Sequence, residues 1–373
     1  MSGSSWDYTA MEQYWIWLSS VEGIGVKRFY QLMSVYGDAR AVWDALGTSG
    51  AAEAMGFLGP KCLRALKEAR SEARFYQLFD QLDRKDIRAV TRLSEDYPGA
   101  LTTIYDPPPT LYVRGSCPLN GDKQFAVVGS RRCTRDGQRA ARDISRELAR
   151  CGVTVVSGLA RGIDTCAHEG ALSGDGRTVG VLGCGVDVAY PPENEALIGR
   201  IIDFGGAVIS ELPPGTAPLP GHFPARNRII SGLCAGTLVV EGAERSGAMI
   251  TVHCALDQGR DVFAVPGSIY SPLSATPNRM IVDGANPVIS PWEILEYYRW
   301  GSRPEVSDAN PHREIQLDGD EQRIVEPLRE QALSFSELVE ATGFSVPKLN
   351  SHLTMLELRG IIMKVPGGMY RAY

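Results

Sequence analysis

Residues 125–164 read FAVVGSRRCTRDGQRAARDISRELARCGVTVVSGLARGID and carry one local plan twice. Apolar runs at 125–128 and 153–156 each end in a turn of small residues, and a helical pattern follows each turn. Strand–turn–helix units in succession place consecutive strands parallel, because the helix must carry the chain back along the sheet. Further strand-like runs at 178–182, 207–210, 237–241 and 261–265 continue the plan, each followed by Gly, Ser or Pro. The fold class is therefore α/β: an extended, doubly wound, Rossmann-like and mostly parallel sheet covered on both faces. Ligands on such sheets bind beyond the carboxyl ends of the strands.

The turns at that edge carry arginine. Gly129-Ser130-Arg131-Arg132 follows the first strand, and Ser157-Gly158-Leu159-Ala160-Arg161-Gly162 follows the second. Glycine permits close approach to the main chain, the opening of a helix offers free amides, and guanidinium matches phosphate in a bidentate way. Two such devices at neighbouring strand ends predict a site for more than one phosphate. Phe223-Pro224-Ala225-Arg226-Asn227-Arg228 adds two arginines and an aromatic ring, the combination that suits a single strand whose bases are free to stack. The alternative for these two arginines is pairing with nearby carboxylates such as Glu241. Ser246 and Gly247 open a further helix that includes Thr251 and again offer a hydroxyl and amides to an anion. Gly183-Cys184-Gly185-Val186-Asp187 begins like a dinucleotide fingerprint, but Val188 holds the third glycine position, which disfavours a nicotinamide or flavin cofactor. Val265-Pro266-Gly267-Ser268, with Pro277-Asn278-Arg279 downstream, reads as loop scaffolding. His168 lies one helical turn after Asp164 and reads as a buried hydrogen-bonded pair that fixes the loop, since no nucleophile is placed beside it.

The chain has 373 residues and a net charge of −6, which argues against a coat for duplex DNA but not against a local basic groove. Between Gly129 and Asp164, eight arginines face only four acids. The eight cysteines are scattered and the five histidines do not pair with them at ligand spacing, so reduced thiols and no metal are expected. No apolar stretch approaches a membrane span, and the opening residues lack the features of a signal peptide, so a cytoplasmic protein is expected.

Four zones divide the chain. Residues 1–85 read as helices and include Gly23-Ile24-Gly25, a turn of the helix-hairpin-helix kind, with Gly56-Phe57-Leu58-Gly59 as a degenerate second copy. Residues 86–298 form the sheet domain, entered through a proline-rich edge segment at 97–109. Residues 299–313 read as a linker. Residues 314–373 show three helix patterns and then a β-hairpin turning at 366–368, the winged-helix order. Its third helix carries Lys348, Asn350, His352 and Arg359.

The ordered segments GSRR, SGLARGID, GCGVDVAYPPEN, ISELPPG, FPARNRIISGL, VVEGAERSGAMIT and GRDVFAVPG resemble the DNA-processing protein A (DprA, or Smf) family over about residues 97–289. The zones on either side resemble the sterile-alpha-motif-like or helix-hairpin-helix domain and the winged helix that many members carry. The resemblance implies a homodimer, not an enzyme, that binds and protects single-stranded DNA and loads RecA recombinase during natural transformation and homologous recombination. It implies a DNA site made of Gly129, Ser130, Arg131, Arg132, Arg161, Gly162, Phe223, Arg226, Asn227 and Arg228, with Ser246 and Thr251 as weaker members. The chain lacks the basic residue often found before the phenylalanine, having Pro218-Leu219-Pro220-Gly221-His222 instead. The alternative on a Rossmann scaffold is a nucleoside-monophosphate phosphoribohydrolase. Its P-G-G-x-G-T-x-x-E hallmark is missing, since the nearest P-G-G lies at 366–368.

Overall fold

A computed structural model describes residues 6–48, 50, 55–243, 246–303, 317–359, 361–365 and 368–372. They separate into two compact units, 1–303 and 304–373.

The first unit is built on one nine-stranded sheet. Its strands are β1 (Arg88–Thr91), β2 (Thr110–Gly115), β3 (Gln124–Val128), β4 (Thr154–Ser157), β5 (Thr178–Val181), β6 (Ala207–Ser210), β7 (Gly236–Val239), β8 (Asp261–Ala264) and β9 (Asn286–Pro287). Their order is β1-β2-β6-β5-β4-β3-β7-β8-β9; β3 to β9 run parallel, and β1 and β2 add an antiparallel margin beside β6. The two-residue alternation of the central strands divides their side chains between two cores. Ala126 and Val128 enter one with Val156, Val181 and Val239, whereas Phe125 and Val127 enter the other with Val155, Leu238 and Phe263. Strands so thoroughly apolar are a consequence of cover on both faces.

The helices that matter below are α1 (Ala10–Ser20), α2 (Val26–Tyr36), α3 (Ala39–Ala45), α4 (Pro60–Ala69), α5 (Glu72–Arg84), α6 (Gly99–Thr102), α7 (Arg135–Arg150), α8 (Ile163–Ser173), α9 (Glu195–Asp203), α10 (His222–Gly232), α11 (Gly247–Asp257), α12 (Ala275–Val282) and α13 (Trp292–Tyr297). The N-terminal helices share a core with the sheet margin: Ile16, Phe79 and Leu82 pack with Ile87, Ala89 and Tyr112. Trp15 Nε1 donates to the Pro109 carbonyl at 2.7 Å, and Ser19 Oγ meets Thr110 Oγ1 at 2.8 Å. The boundary expected at residue 85 is thus a change of secondary structure, with no break in packing. The proline-rich entry also contains more structure than its sequence suggests, since β1 and β2 bracket it.

The expected linker begins too early. Trp300 stacks on Tyr298 with ring centroids 4.4 Å apart, and its amide donates to the Leu295 carbonyl at 2.8 Å, so 299–303 belong to the first unit. The remainder of that linker, 304–313, lies outside the described residues.

The second unit has the winged-helix order: α14 (Gly319–Glu330), β10 (Leu333–Ser334), α15 (Phe335–Thr342), α16 (Val346–Leu358), β11 (Ile362–Val365) and β12 (Met369–Ala372). Its three strands pair as β10-β12-β11 around a core that includes Ile324, Leu338, Leu353 and Tyr370. Residues 366 and 367 of the expected hairpin turn lie outside the described residues. Among the described residues no helix is long and apolar enough to cross a membrane.

Candidate functional site

Strand order locates the site. From β3 the chain winds outward through β4, β5 and β6, then returns to the other side of β3 as β7. Loops leaving β3 and β7 therefore diverge and leave a crevice at the carboxyl edge. A cleft of about 650 Å³ opens there. Gly129, Ser130, Arg131 and Arg132 form one wall after β3, Phe223, Arg226 and Asn227 of α10 form another, and Ser246, Gly247 and Thr251 of the α11 region close it. A small adjoining hollow joins Arg161 to Arg131, Phe223 and Tyr190. Ten of the twelve candidates thus converge, Arg161 through that side hollow. Gly162 and Arg228 line neither space.

The turns are locked to one another through the main chain. Ser130 N donates to the Glu241 carbonyl at 2.7 Å, and Ile163 N donates to the Ser130 carbonyl at 3.2 Å. Gly162, at φ +78°, sits so close that a Cβ there would strike the Ser130 carbonyl. Its part is closure between two loops.

Two of the three expected helix openings are already filled by the protein's own carboxylates. Glu241, at the end of the β7 turn, accepts from Thr134 N at 2.8 Å and Thr134 Oγ1 at 2.5 Å at the head of α7. A Cβ on Gly137, one turn into α7, would strike the same carboxylate. Asp164 accepts from Gly158 N at 3.1 Å and Ala160 N at 3.4 Å and fills the SGLARGID turn. Burial pushes the Asp164 carboxyl up to about 6, opposed by the Arg226 charge. The opening of α11 differs. Ser246 is its N-cap without a side-chain cap bond, and among the described residues Ser246 Oγ and the buried Thr276 Oγ1 have no partner. That helix end faces the cleft, and its amides are available to an anion.

The arginines divide by environment. Arg131 and Arg132 are exposed and form no ion pair with a described residue. The Arg131 guanidinium lies 5.8 Å from the centre of the Phe223 ring, and the Tyr190 ring centroid lies 5.2 Å from that of Phe223. Arg161 is exposed but pairs with Glu193, which raises the arginine and holds the glutamate below the usual carboxylate range. Arg226 is buried: Nη1 donates to the Gly158 carbonyl at 2.6 Å and to the Val181 carbonyl, tying together the ends of β4 and β5. Burial pulls it down to about 10, and its Nε has no partner among the described residues. Arg228 instead pairs with Asp106 at 2.8 Å and Glu211 at 2.5 Å. Positions two apart on a helix point about 200° apart, so α10 cannot aim both arginines at one cleft. Carboxylate pairing, the alternative weighed for these arginines, describes Arg228, with partners other than Glu241.

His168 is not paired with Asp164. Its Nδ1 meets Thr178 Oγ1 at 2.7 Å, and that hydroxyl donates to the Val155 carbonyl at 2.6 Å, so Nδ1 carries the proton. Complete burial takes the ring down to about 3 and keeps it neutral. Sequence reading missed Tyr190 as a cleft residue; its signal is the aromatic in GCGVDVAYPPEN, nine residues beyond the end of β5. In the winged helix, Lys348 pairs with Asp320 at 2.6 Å and Arg359 with Glu321 at 2.6 Å, so two cations of the third helix are held by acids of α14.

Residues 88–299 match the DNA recombination-mediator protein A family, and residues 308–368 match the DprA winged helix domain. The chain belongs to the DprA/Smf family. It is 42% identical over 284 residues to Protein Smf of Escherichia coli strain K12, which covers 74% of this chain and 75% of that one. It is 41% identical over 233 residues to DNA processing protein DprA of Streptococcus pneumoniae, covering 61% of this chain and 81% of the relative. The X-ray structure of S. pneumoniae DprA superposes with a TM-score of 0.63 at 34% identity, covering 78% of this chain and 98% of that one. The Helicobacter pylori DNA processing protein A, whose structure concerns its single-stranded DNA binding mode, superposes with a TM-score of 0.52 at 27% identity, covering 57% of this chain and 95% of that one. The parallel sheet with its winged helix is accordingly the family's architecture.

Proposed function

We propose that the cleft binds single-stranded DNA and that the protein is a binding protein, not an enzyme. The observation that carries this reading is the presence of both chemistries in one cleft: two exposed guanidiniums at Arg131 and Arg132 and the end of α11, together with the Phe223–Tyr190 ring pair that Arg131 overlies. Phosphates suit the first and unpaired bases the second. The groups that would perform hydrolysis are committed elsewhere: Asp164 and Glu241 cap main-chain amides, and His168 is buried and neutral.

The H. pylori relative supports the single-strand reading through the binding mode described for it. Membership in a family of recombination mediators supports the finer reading, in which this protein protects incoming DNA as a homodimer in the cytoplasm and passes it to RecA recombinase during transformation. Duplication of the cleft in a dimer raises effective concentration along one strand.

The test is binding of single-stranded and duplex oligonucleotides of one sequence at two ionic strengths. Single-strand affinity is expected to exceed duplex affinity and to fall with salt by about 0.7 log units per log unit for each phosphate held. Equal affinity for the two forms, or a slope near zero, would remove the reading.

A further inference from the structure

We infer that the Ile269–Tyr270 tip, outside the cleft, is a second stacking site that takes an unpaired base of the strand as it leaves the cleft; this rests on the single-strand reading above. The segment after β8 does more than scaffold. Asn278 grips Gly267 from both sides, its Oδ1 accepting from Gly267 N at 3.0 Å and its Nδ2 donating to Gly267 O at 2.9 Å. A tight turn follows, with Ser271 N donating to the Ser268 carbonyl at 3.0 Å and Tyr270 N to Ser268 Oγ at 3.3 Å. This anchored turn presents Ile269 and Tyr270 at 83% and 89% exposure. A braced loop that holds an aromatic and a branched aliphatic side chain in water pays a solvation cost that local packing does not return.

Position selects the occupant. The tip belongs to the same carboxyl edge as the cleft, and its base is part of the cleft wall: Leu273 lines the cleft, Gly242 N donates to the Leu273 carbonyl at 2.7 Å, and Thr276 N donates to the Gly242 carbonyl at 3.1 Å. In strand order β8 is two places from β3, the strand whose following turn carries Arg131. At ~4.8 Å per strand that offset is on the order of 10 Å. It equals about three nucleotides of a stacked strand at ~3.4 Å each. A strand with phosphates at Arg131 and the α11 opening therefore meets Tyr270 within a few nucleotides, and exposed rings stack on bases irrespective of sequence.

The test uses the full chain and two fluorescein-labelled oligothymidylates, one of about two nucleotides, too short to span from Arg131 to the tip, and one of about twenty. Tyr270→Ala is expected to weaken the longer about five-fold or more and to leave the shorter within two-fold. Tyr270→Phe should bind both like wild type, and Tyr270→Trp should show tryptophan quenching with the longer only. Full affinity of Tyr270→Ala for the longer oligonucleotide would overturn the inference. So would loss of binding in Tyr270→Phe, or a change of oligomeric state in Tyr270→Ala, which would make the tip a protein contact. If wild type binds neither oligonucleotide, the cleft reading falls as well. If wild type binds both and Arg131→Ala weakens both while Tyr270→Ala weakens neither, only the second site falls.

Discussion

Arg131 and Arg228 show how little residue type says about role until the environment is known. Arg131 is exposed above Phe223, whereas Arg228 is sealed between Asp106 and Glu211. Arg131→Ala is therefore expected to lower single-strand affinity about ten-fold on every sequence and to make the salt slope less negative by ~0.7, with the melting temperature unchanged. Arg228→Ala strands two carboxylates, one of them buried, and should cost about 3 kcal/mol of stability in urea titration. A normal denaturation midpoint for Arg228→Ala would show that the pair is not structural. His168 gives a separate test by pH. Its ordinary value is 6.5 and burial takes it to about 3, so the unfolded chain gains a proton that the folded chain refuses as pH falls below 6.5. Stability from this group is complete above pH 6.5 and is lost on acidification, by ~2 kcal/mol at about pH 5. Asp164 acts in the opposite sense: raised from 3.8 to about 6, it protonates first in the folded chain, so acidification from pH 6 toward 4 restores stability. His168→Gln removes the first effect and keeps the second. Its stability should fall less than that of wild type between about pH 7.5 and 5, by ~2 kcal/mol, and equal falls would refute the neutral buried ring.

At the scale of elements, the decisive fact is which helix ends are open. The opening of α7 is closed by Glu241, and Glu241→Ala would free two donors at Thr134 and leave space beside Gly137. A loss of about 2 kcal/mol is expected, with Glu241→Gln recovering part of it; measured by chemical denaturation, an unchanged midpoint would show that the cap is dispensable. This closure was not legible in the sequence, because the carboxylate comes from 107 residues away. Local signals behave differently. Six of the seven parallel strands could be read to within a residue or two from their apolar runs and following turns, since burial on both faces leaves no polar alternation to confuse them; the two-residue β9 offered no such run. The loops that converge on the cleft could be read for the same reason: they are strand ends. β1 and β2 escaped because prolines surround them. Gly162 and Arg228 carried the right residue types, and what separates them from the cleft is register along α10 for Arg228 and the close approach of two loops for Gly162.

At the scale of the molecule, the two boundaries differ in kind, and this yields opposite expectations for shortening the chain. The N-terminal helices bury Ile16, Phe79 and Leu82 against Ile87, Ala89 and Tyr112 at the sheet margin, with Tyr112 and Ile87 fully enclosed. Removing residues 1–85 would expose that apolar surface along β1 and β2, so the remainder should aggregate or melt well below the intact protein. Shortening after Arg303 instead follows the division between the two units and leaves Trp300 stacked on Tyr298. In the winged helix the cations Lys348 and Arg359 are paired with Asp320 and Glu321, and Lys348 also lies 4.3 Å from the centre of the Phe344 ring, so they offer little to a phosphate backbone. The chain ending at Arg303 is therefore expected to melt cooperatively and to bind single strands with the affinity and salt slope of the full chain, within about two-fold. A ten-fold loss, or a slope less negative by ~0.7 or more, would mean that the winged helix contributes phosphate contacts of its own. Isothermal titration of both lengths against one oligothymidylate at two salt concentrations separates these outcomes.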